Sequence, residues 1–133
     1  MAAQKILVIE DDNGARDALG CLLTEEGFSV RTAASGEAGL ACAREFQPDV
    51  IVCDYCLPDI DGLHVLRCLR ADRGGAFIIV VTAGGYGRSD EAALRDEADL
   101  FLDKPVDLSK LRTALLRVTG STRRKASSVP AVN

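Results

Sequence analysis

Acidic, hydroxyl and ammonium side chains follow four separate apolar segments of this 133-residue chain. In chain order, these segments are followed by Glu10, Asp11 and Asp12, then Asp54, then Thr82 and Ala83, and finally Lys104 and Pro105. Clustered carboxylates repel one another when they are ionised, so such a group needs a counter-charge. A small set of hard oxygen ligands, with water completing the coordination shell, suits Mg²⁺.

A carboxylate held beside a divalent ion can itself attack phosphorus. Lys104 can pair with one phosphate oxygen as a mobile cation, and Thr82 can donate a hydrogen bond to another. Phosphoryl transfer depends mainly on positioning and on the neutralisation of charge. These residue types therefore predict a phosphoryl-accepting aspartate assisted by a metal ion and a lysine.

The elements that must position these residues alternate along the chain. Apolar segments at 5–9, 28–33, 50–53, 77–81 and 100–102 are short and mostly rich in β-branched residues, which predicts five strands. Each is followed by apolar residues at helical spacing, which predicts five helices. Four polar residues are suited to cap these helices at their N-termini: Asn13, Ser35, Ser89 and Asp107.

Five successive strand–helix units predict parallel strands joined by right-handed crossovers. The strands are apolar almost throughout, which indicates that helices cover both faces of the sheet. We therefore predict an α/β fold, a doubly wound (βα)5 domain around a five-stranded parallel sheet. Ligands bind outside the carboxyl ends of the strands in such sheets, so the fold would gather the acids, the threonine and the lysine at one edge.

Composition and charge limit the class of protein. The chain is 47% apolar and 27% charged, as in an ordinary globular domain. Its longest apolar run, six residues, is too short to span a membrane, and no leader peptide is evident, so we expect a cytoplasmic protein without membrane contact. Residues 1–119 hold 13 basic and 20 acidic residues, a net charge of −7 that argues against direct nucleic acid binding. Residues 120–133 form a polar basic tail or linker stub.

Four motifs resemble the receiver domain of two-component response regulators. They are Ile6-Leu-Val-Ile-Glu-Asp-Asp12, Asp54-Tyr-Cys-Leu-Pro-Asp-Ile-Asp-Gly62, Val81-Thr-Ala83 and Phe101-Leu-Asp-Lys-Pro105. They occur in the family's order and spacing, and the match covers about residues 4–119. The resemblance implies the flavodoxin-like strand order 2-1-3-4-5, with residues 1–119 as the receiver domain.

The resemblance also implies roles for individual residues. Asp54 corresponds to the acceptor of a phosphoryl group from a sensor histidine kinase or a phosphotransfer protein. The implied ligands of Mg²⁺, for which Mn²⁺ can substitute, are Glu10, Asp11, Asp54 and the backbone carbonyl of Cys56. An alternative acid pair is Asp11 with Asp12. Glu10 with Asp11 is preferred because the family's pair directly follows the four apolar strand residues.

The implied switch involves the remaining motif residues. Thr82, Ala83 and Lys104 correspond to residues that contact the phosphoryl group, and Pro105 resembles a proline that follows a cis peptide bond. Phe101 resembles the aromatic residue that moves inward, so that the surface of helix 4, strand 5 and helix 5 is remodelled for a partner or for a phosphorylation-dependent homodimer. Such a protein is not an enzyme beyond catalysing its own phosphorylation and dephosphorylation.

Some positions depart from the family pattern. Gly84 offers no side chain where relatives often shield the phosphoryl group, and Cys56 occupies the other position that tunes its lifetime. We therefore hypothesise fairly fast hydrolysis of the phosphoaspartate. Glu97 stands where many relatives have glycine, and the sequence offers no physical reason for it.

Two alternative functions remain open from the sequence. A small Mg²⁺-dependent phosphotransfer enzyme would need a second acid–base group, for which Asp59 and Asp61 are candidates. A cysteine-based metal or redox module is the other, because Cys53-x-x-Cys56 is followed by His64 and Cys68. The odd total of five cysteines argues instead for reduced thiols.

Overall fold

The computed structural model describes residues 4–60, 62–72, 75–83 and 88–118, with only the backbone at 88–91. Its strands are β1 (Lys5–Ile9), β2 (Ser29–Ala33), β3 (Val50–Asp54), β4 (Phe77–Thr82) and β5 (Leu100–Asp103). Its helices are α1 (Asn13–Glu25), α2 (Gly36–Phe46), α3 (Gly62–Ala71), α4 (Arg88–Glu97) and α5, which covers residues 108–118. In the described ranges, no helix has the length and apolar character needed to cross a bilayer.

All five strands belong to one parallel sheet in the order β2-β1-β3-β4-β5, which confirms the predicted fold class and strand order. The chain adds β2 on one side of β1 and then returns to add β3 on the other side. The strand order thus reverses between β1 and β3, where Ile9 pairs with Cys53. In open sheets of this kind, the crevice at the reversal point is where ligands bind.

Apolar side chains pack on both faces of the sheet, as the continuous apolar strands predict. One cluster joins the strands to α2, α3 and α4, through residues such as Phe46, Leu66 and Leu94. The other joins them to α1 and α5, through residues such as Leu23 and Leu111. Successive side chains of β1 point alternately into the two clusters, so both clusters pack against this strand. The carboxyl end of β1 leads directly into the acidic residues.

Several predicted boundaries differ from the structure. β3, β4 and β5 each continue one residue further, because Asp54 pairs with Val81 and Thr82 with Asp103 in the ladder. The N-cap of α1 is Asp12 rather than Asn13, since the Asp12 carboxylate accepts the Ala15 N–H at 2.7 Å. The structure also begins α4 at Arg88, so the proposed cap Ser89 lies within the helix, and begins β2 at Ser29 rather than at residue 28.

Gly62 brings the start of α3 unusually close to the end of β3. Its N–H donates to the Tyr55 carbonyl at 2.7 Å. A Cβ atom at this position would lie 2.5 Å from Tyr55 Cα, closer than any side chain tolerates. Glycine is therefore required here, and the contact fixes the loop that begins beside Asp54.

Arg70 connects α3 to the end of α4 and the start of β5. Its guanidinium donates to the Glu97 carbonyl at 2.7 and 3.0 Å and to Asp99 Oδ2 at 2.7 Å. Asp99 in turn accepts the Ile78 N–H, and the Glu97 carboxylate pairs with Arg67 at 3.0 Å. Of these contacts, only the ion pair with Arg67 uses the Glu97 side chain, and it gives this glutamate a partner that the sequence did not reveal.

Candidate functional site

Three acids from the ends of β1 and β3 meet at the point where the strand order reverses. One carboxylate oxygen from each of Glu10, Asp11 and Asp54 lies within 4.8 Å of the other two. Asp54 and Glu10 are only 4% and 8% exposed, whereas Asp11 is exposed. The Glu10 N–H donates to the Ala33 carbonyl at 3.0 Å, which keeps the chain extended one residue beyond β1. The acids are therefore held in place by the sheet itself.

Lys104 is the cation of this group. Its Nζ lies 2.9 Å from Asp54 Oδ2 and 3.0 Å from Glu10 Oε1, with the side chain 30% exposed. Its backbone N–H donates to the Thr82 carbonyl at 2.8 Å, and the peptide bond to Pro105 is cis. Partial burial acts to lower the pKa of Lys104, but the hydrogen bonds and negative charges of Asp54 and Glu10 outweigh it and raise that pKa. The ammonium group therefore remains charged beside the acids.

Arg16 supports the acidic loop from the first turn and a half of α1. Its guanidinium donates to the backbone carbonyls of Glu10 at 3.0 Å and Asp11 at 3.3 Å, and also to the Asn13 side chain. The role of Arg16 was not predicted from the sequence. An arginine one turn after an acidic strand end is a usable signal, because a helical side chain points back toward the helix N-terminus.

Asp12 lies outside the three-acid group. Its side chain caps α1, and its N–H donates to Glu10 Oε2 at 3.1 Å. Of the two acid pairs left open by the sequence, the structure thus brings Glu10 and Asp11, and not Asp12, together with Asp54. The Asp12 contact also orients the Glu10 carboxylate, whose other oxygen is bound by Lys104.

Thr82, Ala83 and Phe101 lie along the β4–β5 side of the site. Thr82 is completely buried at the end of β4, and Ala83 follows it as an exposed residue. Phe101 is partly buried against the cluster shared by α2, α3 and α4. The Arg95 guanidinium lies 5.0 Å from the centre of its ring, a cation–π contact that was not predicted from the sequence. Gly84 lies outside the described residues.

The carboxylate of Asp59 binds the N-terminus of α2. Its two carboxylate oxygens accept the N–H groups of Gly36 and Glu37, each at 2.8 Å, at the N-terminus of α2. These hydrogen bonds, with the one from Glu37 strongest, lower the pKa of Asp59. A carboxylate held this way links the β3–α3 loop to α2 and does not face the Asp54 group as an acid–base partner. Asp61 lies outside the described residues.

The four-residue cysteine and histidine set is not assembled. Cys53 is buried, and burial followed by the charges of Asp54 and Glu10 raises the pKa of its thiol to about 12. Cys56 is exposed, and its backbone N–H donates to Asp54 Oδ1 at 3.2 Å. Within the described part of the chain, the three carboxylates are the sole cluster of three or more metal-ligating side chains.

The donor set fits a hard divalent cation. Among the described side chains, three carboxylates against one ammonium leave excess negative charge, and all the available ligand atoms are oxygens. Mg²⁺ prefers such ligands in small number and retains water in its remaining positions. The arrangement can therefore place a nucleophilic carboxylate, a metal ion and a mobile cation around one anionic phosphoryl group.

Comparison with known sequences gives one consistent family. A family model described as the response regulator receiver domain matches residues 6–116. The chain is 34% identical over 120 residues to the probable transcriptional regulatory protein TcrX of Mycobacterium tuberculosis, covering 88% of this chain and 51% of that one. It is 45% identical over 101 residues to the transcriptional regulatory protein AfsQ1 of Streptomyces coelicolor, covering 76% and 44%. The chain thus spans about half the length of these relatives.

Solved structures give the same result. The N-terminal domain of an uncharacterized protein (WS1339) from Wolinella succinogenes superposes with a TM-score of 0.86 at 29% identity, covering 92% of this chain and 99% of that one. A CheY-like response regulator receiver domain protein from Methanospirillum hungatei superposes with a TM-score of 0.84 at 25% identity and the same coverage.

Proposed function

This chain belongs to the response regulator receiver domain family of two-component systems, and from that membership we propose that it is a signalling switch which accepts a phosphoryl group on Asp54. The observation that carries the proposal is the meeting of Asp54 with Glu10, Asp11 and Lys104 at the strand-order reversal. Receiver domains interact with histidine kinases, so the donor is the phosphohistidine of a sensor kinase or of a phosphotransfer protein.

In the proposed transfer, an oxygen of the Asp54 carboxylate attacks phosphorus. The new O–P bond forms while the N–P bond of the donor histidine breaks, and its electron pair remains on the histidine nitrogen. Glu10, Asp11, Asp54 and the Cys56 carbonyl would hold Mg²⁺, or Mn²⁺ in its place, and the bound ion would supply charge neutralisation for the phosphoryl oxygens. Catalysis is then mainly the positioning of charges that the strands already fix.

Three residues would receive the transferred group. Lys104 would exchange its contact with Asp54 for one with a phosphoryl oxygen, since its Nζ already lies 2.9 Å from the accepting side chain. The Thr82 hydroxyl and the Ala83 N–H would donate to the other oxygens, because Thr82 ends and Ala83 directly follows β4, the strand next to β3. Cys56 and Gly84 are the positions at which we propose that the phosphoryl lifetime is set.

The proposed readout runs through Phe101. Recruitment of Thr82 toward the phosphoryl group would open space beside β5, and Phe101 would fill it, because burial of an aromatic ring is favourable. That movement would break the contact between Phe101 and Arg95 of α4. The surface formed by α4, β5 and α5 would then change, which suits a partner or a phosphorylation-dependent homodimer.

The output is proposed from the relatives. Both named relatives are transcriptional regulatory proteins and are about twice as long as the matched region. We propose that residues 1–119 form the receiver, that residues 120–133 serve as a tail or linker, and that the regulated process is transcription. The acidic receiver would act through protein contacts rather than by binding nucleic acid.

Acetyl phosphate with Mg²⁺ tests the proposal, using intact-protein mass spectrometry. The wild-type chain should gain one phosphate, and Asp54→Asn should gain none. Asp59→Asn is a matched control, because this aspartate of the next loop is bound to α2 and should leave phosphorylation intact. A chain that stays unmodified, or that gains phosphate in the Asp54→Asn variant, contradicts the proposal, and sustained turnover of a phosphate ester would favour an enzyme instead.

A further inference from the structure

Two members of the cysteine and histidine set do meet, on helix α3. His64 and Cys68 are four residues apart, so they share one face of the helix. Cys68 Sγ lies 3.7 Å from His64 Nε2; His64 is exposed and Cys68 partly so. We propose that this pair is a bidentate site for a thiolate-seeking divalent metal ion such as Zn²⁺, separate from the carboxylate site.

The spacing of the two ligand atoms carries the proposal. Zinc binds sulfur at about 2.3 Å and histidine nitrogen at about 2.0–2.1 Å, which at the tetrahedral angle separates the two ligand atoms by about 3.6 Å. The observed 3.7 Å matches that separation. Helical i and i+4 ligands on one face are also the arrangement by which other helices bind zinc. A metal ion can therefore take the position between the two atoms without rearrangement of α3.

The binding step involves no oxidation. The Cys68 thiol releases its proton to solvent, the resulting thiolate sulfur bonds to the metal, and the neutral His64 imidazole donates its Nε2 lone pair. Sulfur and imidazole select Zn²⁺ and similar ions, whereas the oxygen ligands around Asp54 favour Mg²⁺. In the described ranges, His64 and Cys68 belong to no larger ligand cluster, so water completes the shell and binding is weaker than at a structural zinc site.

His64 is the single histidine of the chain, which gives the test a specific signal. The full chain, free of any histidine tag, is titrated with Zn²⁺ in excess Mg²⁺, without added thiols, while the imidazole proton resonances are recorded. These resonances should shift and saturate. Cys68→Ser should weaken Zn²⁺ binding at least about tenfold. By calorimetry, Cys68→His should retain binding, because two imidazoles then occupy the same spacing.

Cys56→Ser is the matched control, because it removes another accessible thiol and should leave the His64 shift unchanged. Asp54→Asn should also leave the shift unchanged, so this test is independent of phosphorylation. The proposal is overturned if millimolar Zn²⁺ leaves the His64 resonances in place, if Cys68→Ser binds like the wild type, or if Cys56→Ser abolishes binding.

Discussion

Among the described residues, the nearly buried carboxylate of Asp54 has one cation, Lys104, beside it and two further acids within 4.8 Å. Replacing it with asparagine removes the charge and keeps the shape and one acceptor oxygen. Lys104 is not left without a partner, because Glu10 Oε1 lies 3.0 Å from its Nζ. The change therefore tests how the charges of the site balance in the absence of a metal ion.

The magnitude follows from the distances. At an effective dielectric constant of about 20, the 2.9 Å pair between Asp54 and Lys104 contributes roughly 6 kcal/mol of attraction. Repulsion from Glu10 within 4.8 Å is at least about 3.5 kcal/mol, and exposed Asp11 adds about 1 kcal/mol at the dielectric constant of water. Desolvation of a carboxylate that is 4% exposed costs several kcal/mol more. On these figures repulsion and desolvation outweigh the attraction, and the Cys56 N–H bond to Oδ1 can be kept by asparagine, so we expect removal of the charge to stabilise the metal-free protein.

We expect Asp54→Asn to raise the free energy of unfolding of the metal-free protein by about 1–2 kcal/mol, or the Tm by roughly 4–8 °C. Chemical denaturation in EDTA measures the first quantity. Mg²⁺ at about ten times its Kd should stabilise the wild type by about 1.4 kcal/mol and leave Asp54→Asn nearly unchanged, since the variant has lost a ligand.

Asp12→Asn is the control for this experiment, because Asp12 lies next to the site but caps α1, a role that asparagine also fills. It should respond to Mg²⁺ like the wild type. A metal-free Asp54→Asn protein that is less stable than the wild type would refute the charge balance. An Asp54→Asn protein that gains the full Mg²⁺ stabilisation would refute the assignment of Asp54 as a ligand.

Three further variants or probes test other parts of the structure. Gly62→Ala should lower the free energy of unfolding by about 1–3 kcal/mol in urea denaturation, because its Cβ would meet Tyr55 Cα at 2.5 Å. Asp59→Asn should lower the Tm at pH 7. Because the pKa of Asp59 is lowered in the folded protein, its stabilising effect is fully present above the ordinary value of 3.8 and should be lost progressively as pH falls from there through the lowered pKa of the folded state. A thiol reagent at pH 8 should label Cys56 but not Cys53 until the protein unfolds, since burial raises the pKa of Cys53 to about 12.

Each of these expectations can fail in a recognisable way. Gly14→Ala places a Cβ at ordinary van der Waals distance, 3.5 Å from Asp12 Oδ2, so an equal loss of stability in both glycine variants would refute the steric argument at Gly62. A Tm difference for Asp59→Asn that persists unchanged at pH 2 would exclude the carboxylate as its cause. Labelling of Cys53 in the native protein at the rate of Cys56 would show that its surroundings are open.

The fold was predictable because its determinants are local and repeated. Apolar runs of strand length, each followed by a helical pattern, imply the parallel sheet. The errors lie where polar residues extend a strand, because Asp54 and Thr82 join the ladder through partners on neighbouring strands that the local sequence does not reveal. The cap of α1 differs by one residue because two adjacent side chains, Asp12 and Asn13, are both competent to cap.

The grouping of the acids with the lysine was predictable from the strand ends, whereas their supporting contacts were not. Arg16 binds carbonyl oxygens, which any residue provides, so only its position one turn after the acidic residues could have indicated its role. Glu97 has a partner thirty residues earlier, Arg67, and its carbonyl is held by Arg70. The sequence made Asp59 a candidate acid–base group, but its carboxylate accepts hydrogen bonds from backbone N–H groups of α2. Such long-range pairings depend on the packed arrangement of the helices.

The contacts of Arg70 and Arg67 hold the Glu97 end of α4, so a tilt of this helix would pivot about that end. At this end the Glu97 carbonyl accepts hydrogen bonds from Arg70 of α3. Arg70 also binds Asp99, which in turn accepts an N–H group of β4. The helix has ten residues and is about 15 Å long, so a tilt of about 5° moves its Arg88 end by roughly 1.3 Å while the Arg70 hydrogen bonds stay intact. A small displacement near Phe101 would thus be larger at the Arg88 end of α4 than at its Glu97 end.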